Sequence, residues 1–507
     1  MATKQDGTTV RKGPAPRFKR SLDSKIFVIT SAQNATPIHE AFWASLLQYC
    51  EFRDAELMVI PIRYKNATSR WTESQRNAEW WLDRPDIPWD PLNFPDETEE
   101  AYYARVYPNR KYLWNVRKDL NKNITVLGDI KIQPTAVSPL TGFEGITHGE
   151  SGIFGHTKLQ LKVVATPQGK YPKILTTTGA CTVKNYTDTR AGKLGEFHHT
   201  LAAVVVEVDG PRFHLRQINA KSDGTFYDLD YLYDGSKRKP VQYSGIPAIV
   251  MGDTHVEGID PAVERATFDD MIPFFRPQRL FFHDLEDGGS VNHWAGKNPF
   301  VTGARHFAKQ ASAEEEFYSA LKFVTDRTPA DGTQSFIVAS NHNDWIHRWV
   351  LDRDWKTLSP KDRGFYLRVA SELYEQSKLL TGDGAERLNA FIMLAKRHFE
   401  TGEHGNVKVL DYEESCVVEG IECGMHGHYG PNGSRGSARS MRRIGVKSII
   451  GHSHTPAIEE GCYQVGTSTH LSRGYTHGPS SWLNTHCLIY PNGKRTLLNV
   501  IDGKWRL

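Results

Sequence analysis

The sequence lacks the cysteine spacing of disulfide-rich or zinc-binding domains. Its six cysteines are scattered along 507 residues, and no two of them form a C-x-x-C pair. We therefore expect reduced, mostly buried thiols rather than a disulfide framework or a closed structural zinc site. Long apolar runs are missing too, as is the apolar core of a signal peptide. These absences predict a cytoplasmic protein with no membrane partner.

The chain also lacks a large net charge of either sign, because its formal charge is only +3. Whole-chain charge therefore does not indicate a polyanionic partner. Hydrophobic residues make up 39% and charged residues 24%, a balance typical of a globular protein, and the length is sufficient for two domains. Basic residues are nevertheless dense in the first 25 positions, which contain seven of them against Asp6 and Asp23. Residues 1–24 are predicted to form a flexible basic tail.

The periodicity of apolar residues divides the rest of the chain into two parts. Residues 25–245 are predicted to form an N-terminal α/β and β-rich domain, which begins with strand Lys25–Thr30, helix His39–Phe52 and strand Glu56–Pro61. Residues 246–507 alternate strands with helices, which indicates an α/β domain. Two helix starts are marked by capping patterns, Asp260 followed by Pro261 and Ser312 followed by Glu315.

Polar residues able to bind metal follow five strand-like runs in the second part. The runs are Ile246–Met251, Arg279–Phe282, Ser335–Ala339, a β-rich run before Gly424, and Val446–Ile450. The candidate ligands behind them are Asp253, His255, Asp284, Asn341, His426, His452 and His454. Ligands in open α/β sheets lie beyond the carboxyl ends of the strands, so we expect these side chains to converge.

The number of candidate ligands predicts two metal ions. A catalytic divalent ion typically takes about three protein ligands and keeps a position for water. Two carboxylates, one amide and four imidazoles are too many for one ion. If one carboxylate bridges, two mixed N/O shells result, which favour manganese, with magnesium, iron or zinc as alternatives. Two ions about 3.5–4 Å apart can activate a water and hold a phosphoryl centre for in-line displacement.

The ordered set resembles the calcineurin-like metallophosphoesterases, whose pattern reads D-x-H, GD, GNH[D/E], a single H and GHxH. The resemblance covers roughly residues 246–507 and implies a β-sandwich flanked by helices. It implies a first metal held by Asp253, His255, Asp284 and His454. It implies a second metal held by the bridging Asp284 with Asn341, His426 and His452. His342 then matches the family's histidine that stabilises phosphate charge or protonates the leaving oxygen.

Two positions depart from the family pattern. His283 replaces the glycine that usually precedes the bridging aspartate, and Asn343 stands where an acid usually follows the histidine. Asp344, one residue later, is the candidate that orients His342 instead.

A second basic stretch follows the fourth motif. Between Pro431 and Ile458 there is no acid, whereas the arginines Arg435, Arg439, Arg442 and Arg443 all occur there. A Gly- and Ser-rich turn leading into a short helix is predicted at its start. Arginine forks bind phosphate oxygens in pairs, so the stretch favours a groove for a phosphodiester backbone. A solvated helix face is the alternative.

Looser segments resemble the pre-early host-DNA-degrading nucleases of T-odd bacteriophages. These segments are Ile29–Pro37, Thr176–Ala180, Gly445–His454 and Gly461–Thr467. The resemblance implies a metal-dependent DNase that acts in the cytoplasm of a bacterial host, with a homo-oligomer as an option.

The leading hypothesis is a two-metal phosphodiesterase that cleaves DNA by attack of metal-bound hydroxide on phosphorus. One alternative is a nucleotide or phosphoprotein phosphatase or phosphodiesterase. Another is a non-catalytic DNA-binding or DNA-transfer factor whose metals are structural.

Overall fold

The structure is a computed structural model, and two compact units make up the chain. It describes residues 17–18, 26–33, 36–62, 98, 101, 110–290, 298–307, 311–380, 382–401, 405–474 and 476–507. All of the predicted basic tail except residues 17–18 lies outside these ranges. The first unit falls within Met1–Tyr243 and includes Arg506–Leu507, and the second is Ser244–Trp505. Both contain mixed sheets and helices.

The first unit is rich in strands. They are β1 Arg17–Phe18, β2 Ile26–Gln33, β3 Glu56–Ile62, β4 Arg117–Asn121, β5 Ile124–Leu127, β6 Ser151–Phe154, β7 Gln160–Val164, β8 Lys173–Thr177, β9 Ala202–Asp209, β10 Arg212–Asn219, β11 Phe226–Asp228, β12 Tyr231–Tyr233 and β13 Val241–Gln242. Its helices are α1 Glu40–Arg53 and α2 Arg190–His198, with a 3-10 turn at Arg110–Tyr112. The orders β10-β9-β2-β3, β11-β12-β13 and β1-β4-β5-β6-β8-β7 describe its sheets.

The predicted strand–helix–strand start is confirmed by β2, α1 and β3. The His39 side chain caps α1 by accepting a hydrogen bond from Phe42 N at 3.2 Å, and Asp54 ends the helix in a left-handed conformation. Phe42, Leu46 and Tyr49 of α1 are fully buried in one core with strand residues of this unit. The apolar face of α1 therefore holds the helix against the sheet.

The second unit carries all the candidate metal ligands. Its strands are β14 Ala248–Val250, β15 Arg279–Phe282, β16 Gln334–Ile337, β17 Val407–Val409, β18 Val417–Val418, β19 Ile421–Glu422, β20 Ser448–Ile450, β21 Ala457–Glu459, β22 Cys462–Gln464, β23 Thr485–Ile489 and β24 Arg495–Asn499. Its helices are α3 Pro261–Arg265, α4 Ile272–Phe275, α5 Pro299–Phe307, α6 Ala313–Arg327, α7 Trp345–Asp352, α8 Pro360–Ser377, α9 Asp383–Glu386, α10 Ala390–Thr401 and α11 Ala438–Met441. A π-helical segment, Ala266–Met271, joins α3 to α4, and 3-10 turns occupy Val256–Gly258, Trp355–Thr357, Pro431–Gly433 and Arg442–Ile444.

Both predicted capping patterns are confirmed. Asp260 accepts a hydrogen bond from Ala262 N at the start of α3, and Ser312 forms a capping box with Glu315 at the start of α6. The six cysteines are free, and four of them are buried. In the described part of the chain, no helix is long and apolar enough to cross a membrane.

Two runs of strands in the second unit present parallel ends. The first has the order β17-β16-β15-β14-β23-β24, in which β14 to β17 are parallel neighbours. The second has the order β21-β22-β20-β19-β18, in which β20 is parallel to β19 and to β22. In the first run, the loops after β14, β15 and β16 therefore emerge at the same edge of the sheet. In the second run, the loops after β19 and β20 do so too.

One buried arginine joins these two groups of strands. Arg495 of β24 donates from Nη1 to the carbonyl oxygens of Ser448 and Gly461, at 2.8 Å each. Its guanidinium also lies 4.0 Å from the ring centre of Tyr463 in β22. Removing this charged donor from a buried seam loses two hydrogen bonds, so Arg495 fixes the spacing of the strands behind the candidate site.

Replacing Arg495 with Met should destabilise the second unit by about 2–4 kcal/mol, because Met keeps the apolar stem but cannot donate to the two carbonyls. Urea unfolding followed by circular dichroism measures this loss. Lys408→Met, at an exposed position of β17, is the matched control and should change the midpoint little. Equal midpoints for the two variants would contradict the role given to Arg495.

Candidate metal centre

The five predicted strand ends bring their polar side chains together. Asp253 and His255 follow β14, Asp284 follows β15 and Asn341 follows β16. His426 follows β19, and His452 and His454 follow β20. The carboxylates and imidazoles among them form two groups that could each hold a metal ion.

The first group consists of Asp253, His255, Asp284 and His454, and all four are buried. One ligand atom from each lies within 4.8 Å of the others. The Nε2 atoms of His255 and His454 are 3.0 Å apart, and His454 Nε2 is 3.2 Å from Asp253 Oδ2. Two imidazole nitrogens aimed at the same point beside a carboxylate form the donor set that a divalent cation requires.

The second group consists of Asp284, His426 and His452. His426 Nε2 lies 3.1 Å from Asp284 Oδ2. The amide oxygen of Asn341 lies 3.1 Å from His426 Nε2 and 2.9 Å from His452 Nδ1, so it faces the same space. Asp284 belongs to both groups.

The buried carboxylates fit a cation. Neither oxygen of Asp253, nor Oδ2 of Asp284, accepts a well-aligned hydrogen bond from the described residues, although both side chains are fully buried. Burial alone would raise the pKa of the Asp284 carboxyl, but the surrounding imidazoles, His426 first, hold it well below its usual value. A buried carboxylate that stays charged needs a positive partner, and a metal ion supplies one.

Four of the candidate ligands have an uncommon backbone conformation. The φ angles of His255, Asp284, His452 and His454 are 43°, 40°, 76° and 58°. Holding a residue other than glycine in this left-handed region costs about 1–3 kcal/mol of conformational free energy. Four such residues in one site indicate that the loops are held by their surroundings rather than by local preference.

A glycine lets the two groups of strands approach each other at the site. A Cβ atom on Gly451 would lie 2.1 Å from Asp253 Oδ1 and 3.3 Å from His283 Cβ. No side chain fits there while Asp253 keeps its place. The glycine of the GHxH motif is therefore required by the close packing of β20 against the Asp253 loop.

His342 lies beside both groups and is half exposed. Its backbone N–H donates to Asp284 Oδ1 at 3.1 Å, and its ring centre is 4.6 Å from that of His255. Desolvation lowers the pKa of His342 to about 4, so the metal-free imidazole is neutral at pH 7. A ligand or substrate that reached the site would meet this ring.

The prediction that Asp344 orients His342 is wrong. Asp344 stands at the start of α7, and its carboxylate accepts hydrogen bonds from Asn389 and Tyr412. The acid beside His342 is Asp287, whose Oδ1 lies 3.8 Å from His342 Nδ1. The turn into α7 points the Asp344 side chain towards α10 and Tyr412 instead.

Asp287 is the residue that the sequence reading missed. Its Oδ1 lies 2.8 Å from Nδ1 of His255, which leaves Nε2 of that imidazole directed into the first group. Arg473 pairs with the other oxygen. Burial lowers the pKa of His255, but the nearby carboxylates, Asp287 first, outweigh it and raise that pKa to about 9. A carboxylate beside the far nitrogen of a histidine orients the ring when the other nitrogen binds a metal.

The two positions that depart from the family pattern are buried. Asn343 accepts hydrogen bonds from the backbone N–H groups of Leu285 and Glu286, at 3.0 and 3.3 Å, and so holds the loop after Asp284. His283 is fully buried, with Nδ1 3.3 Å from Nδ1 of His426. Asn343 thus takes a structural role at the position where the family pattern has an acid.

The arginine stretch forms the expected turn and short helix, but its arginines differ. Arg442 is largely buried and reaches Glu459 and Glu460 through Nη1, at 3.4 and 3.0 Å. Arg435, Arg439 and Arg443 are exposed. Arg442 is therefore removed from the predicted groove, because two acids beyond the acid-free stretch neutralise it, while the other three remain available.

The geometry defines a class: a protein with a mixed α/β unit whose strand ends carry a buried Asp/His centre able to hold metal. No family model matches the chain. A comparison with known proteins finds 30% identity over 495 residues with Protein A1 of Escherichia phage T5, covering 95% of this chain and 83% of the phage protein. The chain belongs to the family of this bacteriophage protein.

Asp284→Asn should lower the affinity for metal, because it removes one charge that both groups share. The loss should exceed the roughly 10–100-fold that follows when a residue hydrogen-bonded to a ligand is removed. Isothermal titration with Mn²⁺, together with metal analysis of the purified protein, measures this. Asp344→Asn removes a buried acid outside both groups and is the matched control. Unchanged stoichiometry and affinity in Asp284→Asn would contradict its shared position.

Proposed function

We propose that the chain is a two-metal phosphodiesterase of the calcineurin-like type and that its substrate is DNA. The observation that carries the proposal is the shared Asp284, which belongs to two groups of ligands rather than one. The donor set of carboxylates, imidazoles and an amide favours Mn²⁺, with Mg²⁺, Fe²⁺ or Zn²⁺ as alternatives. When bound, two such ions lower the pKa of a water molecule and offset phosphate charge.

The residues of the chain divide the remaining work. His342 is neutral in the metal-free site and half exposed, so it can face a phosphate oxygen. A dianionic transition state stabilises the imidazolium form, and Asp287 at 3.8 Å stabilises it further. We therefore assign two roles to His342: it stabilises negative charge on the phosphate, and it donates a proton to the leaving oxygen. Asp287 acts through His342 and His255, as a positioning residue.

DNA is favoured over a small phosphate ester by two observations. Three exposed arginines, Arg435, Arg439 and Arg443, follow the loop of the second group, and exposed guanidinium groups suit a phosphate backbone. The relative is a bacteriophage protein, which agrees with degradation of host DNA in the cytoplasm of an infected bacterium. The name of that relative states no activity.

His342→Ala should keep both metals and lose about 10²–10⁴-fold in rate, the usual contribution of a general acid. The measurement is manganese-dependent cleavage of linear DNA, with metal content determined on the same sample. Asp287→Asn should lose part of this rate, whereas Asp352→Asn, which changes an exposed acid at the end of α7, should keep it. Loss of metal from His342→Ala would show that His342 is a ligand.

Replacing Arg439 and Arg443 with Ala should make DNA binding less dependent on salt. Each lost phosphate contact reduces the log–log slope by about 0.9 for duplex DNA. Fluorescence anisotropy of labelled DNA across a salt series measures the slope. Arg442→Ala is the matched control and should leave it unchanged, because that arginine is neutralised by Glu459 and Glu460.

The same preparations separate the alternatives. A chain that turns over a small phosphodiester with metal but not long DNA is a nucleotide or phosphoprotein phosphoesterase. A chain that binds metal and DNA but cleaves neither substrate is a binding or transfer factor. Either outcome would overturn the assignment as a DNase.

A further inference from the structure

Three rings lie side by side next to the second group of ligands, and we call them the aromatic shelf: Tyr412, His428 and Tyr429. The ring centres of His428 and Tyr429 are 4.1 Å apart, and Tyr412 lies 5.5 Å from His428 and 5.8 Å from Tyr429. The shelf continues directly into the metal centre, because His428 is 5.3 Å from His426. One ring therefore separates Tyr429 from a candidate metal ligand.

The shelf is held rigidly from behind. The hydroxyl of Tyr412 donates to the Ser340 carbonyl oxygen and to the Asp344 carboxylate. Ser340 directly precedes Asn341, so this tyrosine is fastened to the same loop as a candidate ligand. Neither ring nitrogen of His428 has a hydrogen-bond partner in the described part of the chain, although both atoms are buried. Such an imidazole has donor or acceptor capacity left for a bound group.

Tyr429 is the open end of the shelf. Its side chain is 54% exposed, although its ring packs against His428. Tyr429 forms an antiparallel bridge with Arg435, and Gly430 N donates to Ser434 O at 2.6 Å to close the turn between them. Residues opposite each other on such a bridge have Cβ atoms about 4.5–5.5 Å apart. The exposed residues Tyr429 and Arg435 thus stand opposite each other on this bridge.

A ring that lies one imidazole away from a candidate metal ligand, on a bridge with an exposed arginine, matches the parts of a nucleotide. Aromatic rings bind bases by stacking without regard to sequence, and arginine binds the phosphate between bases. A base within a continuous duplex is already stacked on both faces, so it can reach such a shelf only when it is unpaired or at a frayed end.

We propose that the aromatic shelf binds the base of a nucleotide next to the phosphate that is cleaved, with Arg435 on the adjoining phosphate, so that the protein acts on unpaired DNA. This inference rests on the proposed function and adds strand preference to it. Tyr429 supplies the ring on which the base stacks, and His428 packs against that ring. Tyr412 positions the shelf relative to Asn341 through its hydrogen bond to Ser340.

The test compares two substrates with the same backbone charge: an oligothymidylate and an oligomer of abasic tetrahydrofuran units of equal length. Stacking of one base should raise kcat/KM of the wild-type protein on the thymidylate about 5–150-fold over the abasic oligomer. Tyr429→Ala should abolish this preference by losing activity on the thymidylate alone. Tyr429→Phe keeps the ring and should keep the preference. Metal content should be unchanged in both variants, since Tyr429 is exposed and belongs to neither ligand group.

Each outcome has a separate meaning. If the wild-type protein cleaves both oligomers equally, or if Tyr429→Ala keeps the preference, the shelf does not bind a base, while the phosphodiesterase assignment stands. If a duplex without ends is cleaved faster than the thymidylate, the inferred strand preference is wrong. If the protein hydrolyses a small phosphodiester and no oligomer, the assignment as a DNase fails, and the inference fails with it.

Discussion

The arrangement of the second unit depends on two buried carboxylates, Asp253 and Asp284, to which the described residues donate one well-aligned hydrogen bond, from His342 N to Asp284 Oδ1. A buried anion is costly unless a positive group faces it, and the groups that face these two are imidazoles from the Asp253 loop itself and from two further loops. Those imidazoles come from β14, β19 and β20, so strand ends of both groups have to meet. The hydrogen bonds of Arg495 between the two groups of strands, and the close approach at Gly451, hold these strand ends together.

A single acid outside the ligand set connects the metal centre to the residue proposed to handle the proton. Asp287 touches His255 on the nitrogen that faces away from the first group, approaches His342, and pairs with Arg473. Its carboxylate is thereby shared among three cationic or protonatable partners. A change in the charge of one of these partners therefore changes the electrostatic stabilisation of the other two.

The order of motifs and the strand ends could be predicted from the sequence, because a polar residue after an apolar run marks where a parallel strand ends. The direction of a side chain after that point could not. Asp344 follows His342 closely in sequence, yet the turn into α7 directs it to Asn389 and Tyr412, and the acid near His342 comes from a different loop. Arg442 likewise lies in an acid-free stretch and is neutralised by Glu459 and Glu460, which the β21–β22 turn carries back to it. Both differences arise from tertiary packing, which periodicity and local spacing do not encode.

The left-handed backbone at His255, Asp284, His452 and His454 has a consequence for protein design. Ligand identity and order form a short pattern that could be copied onto many α/β scaffolds. A scaffold with ordinary loops would present the same side chains in directions that diverge, since the four residues would relax to extended or helical angles. A functional transplant would have to carry the loops together with the packing that strains them, and success would be judged by backbone angles before any metal is added.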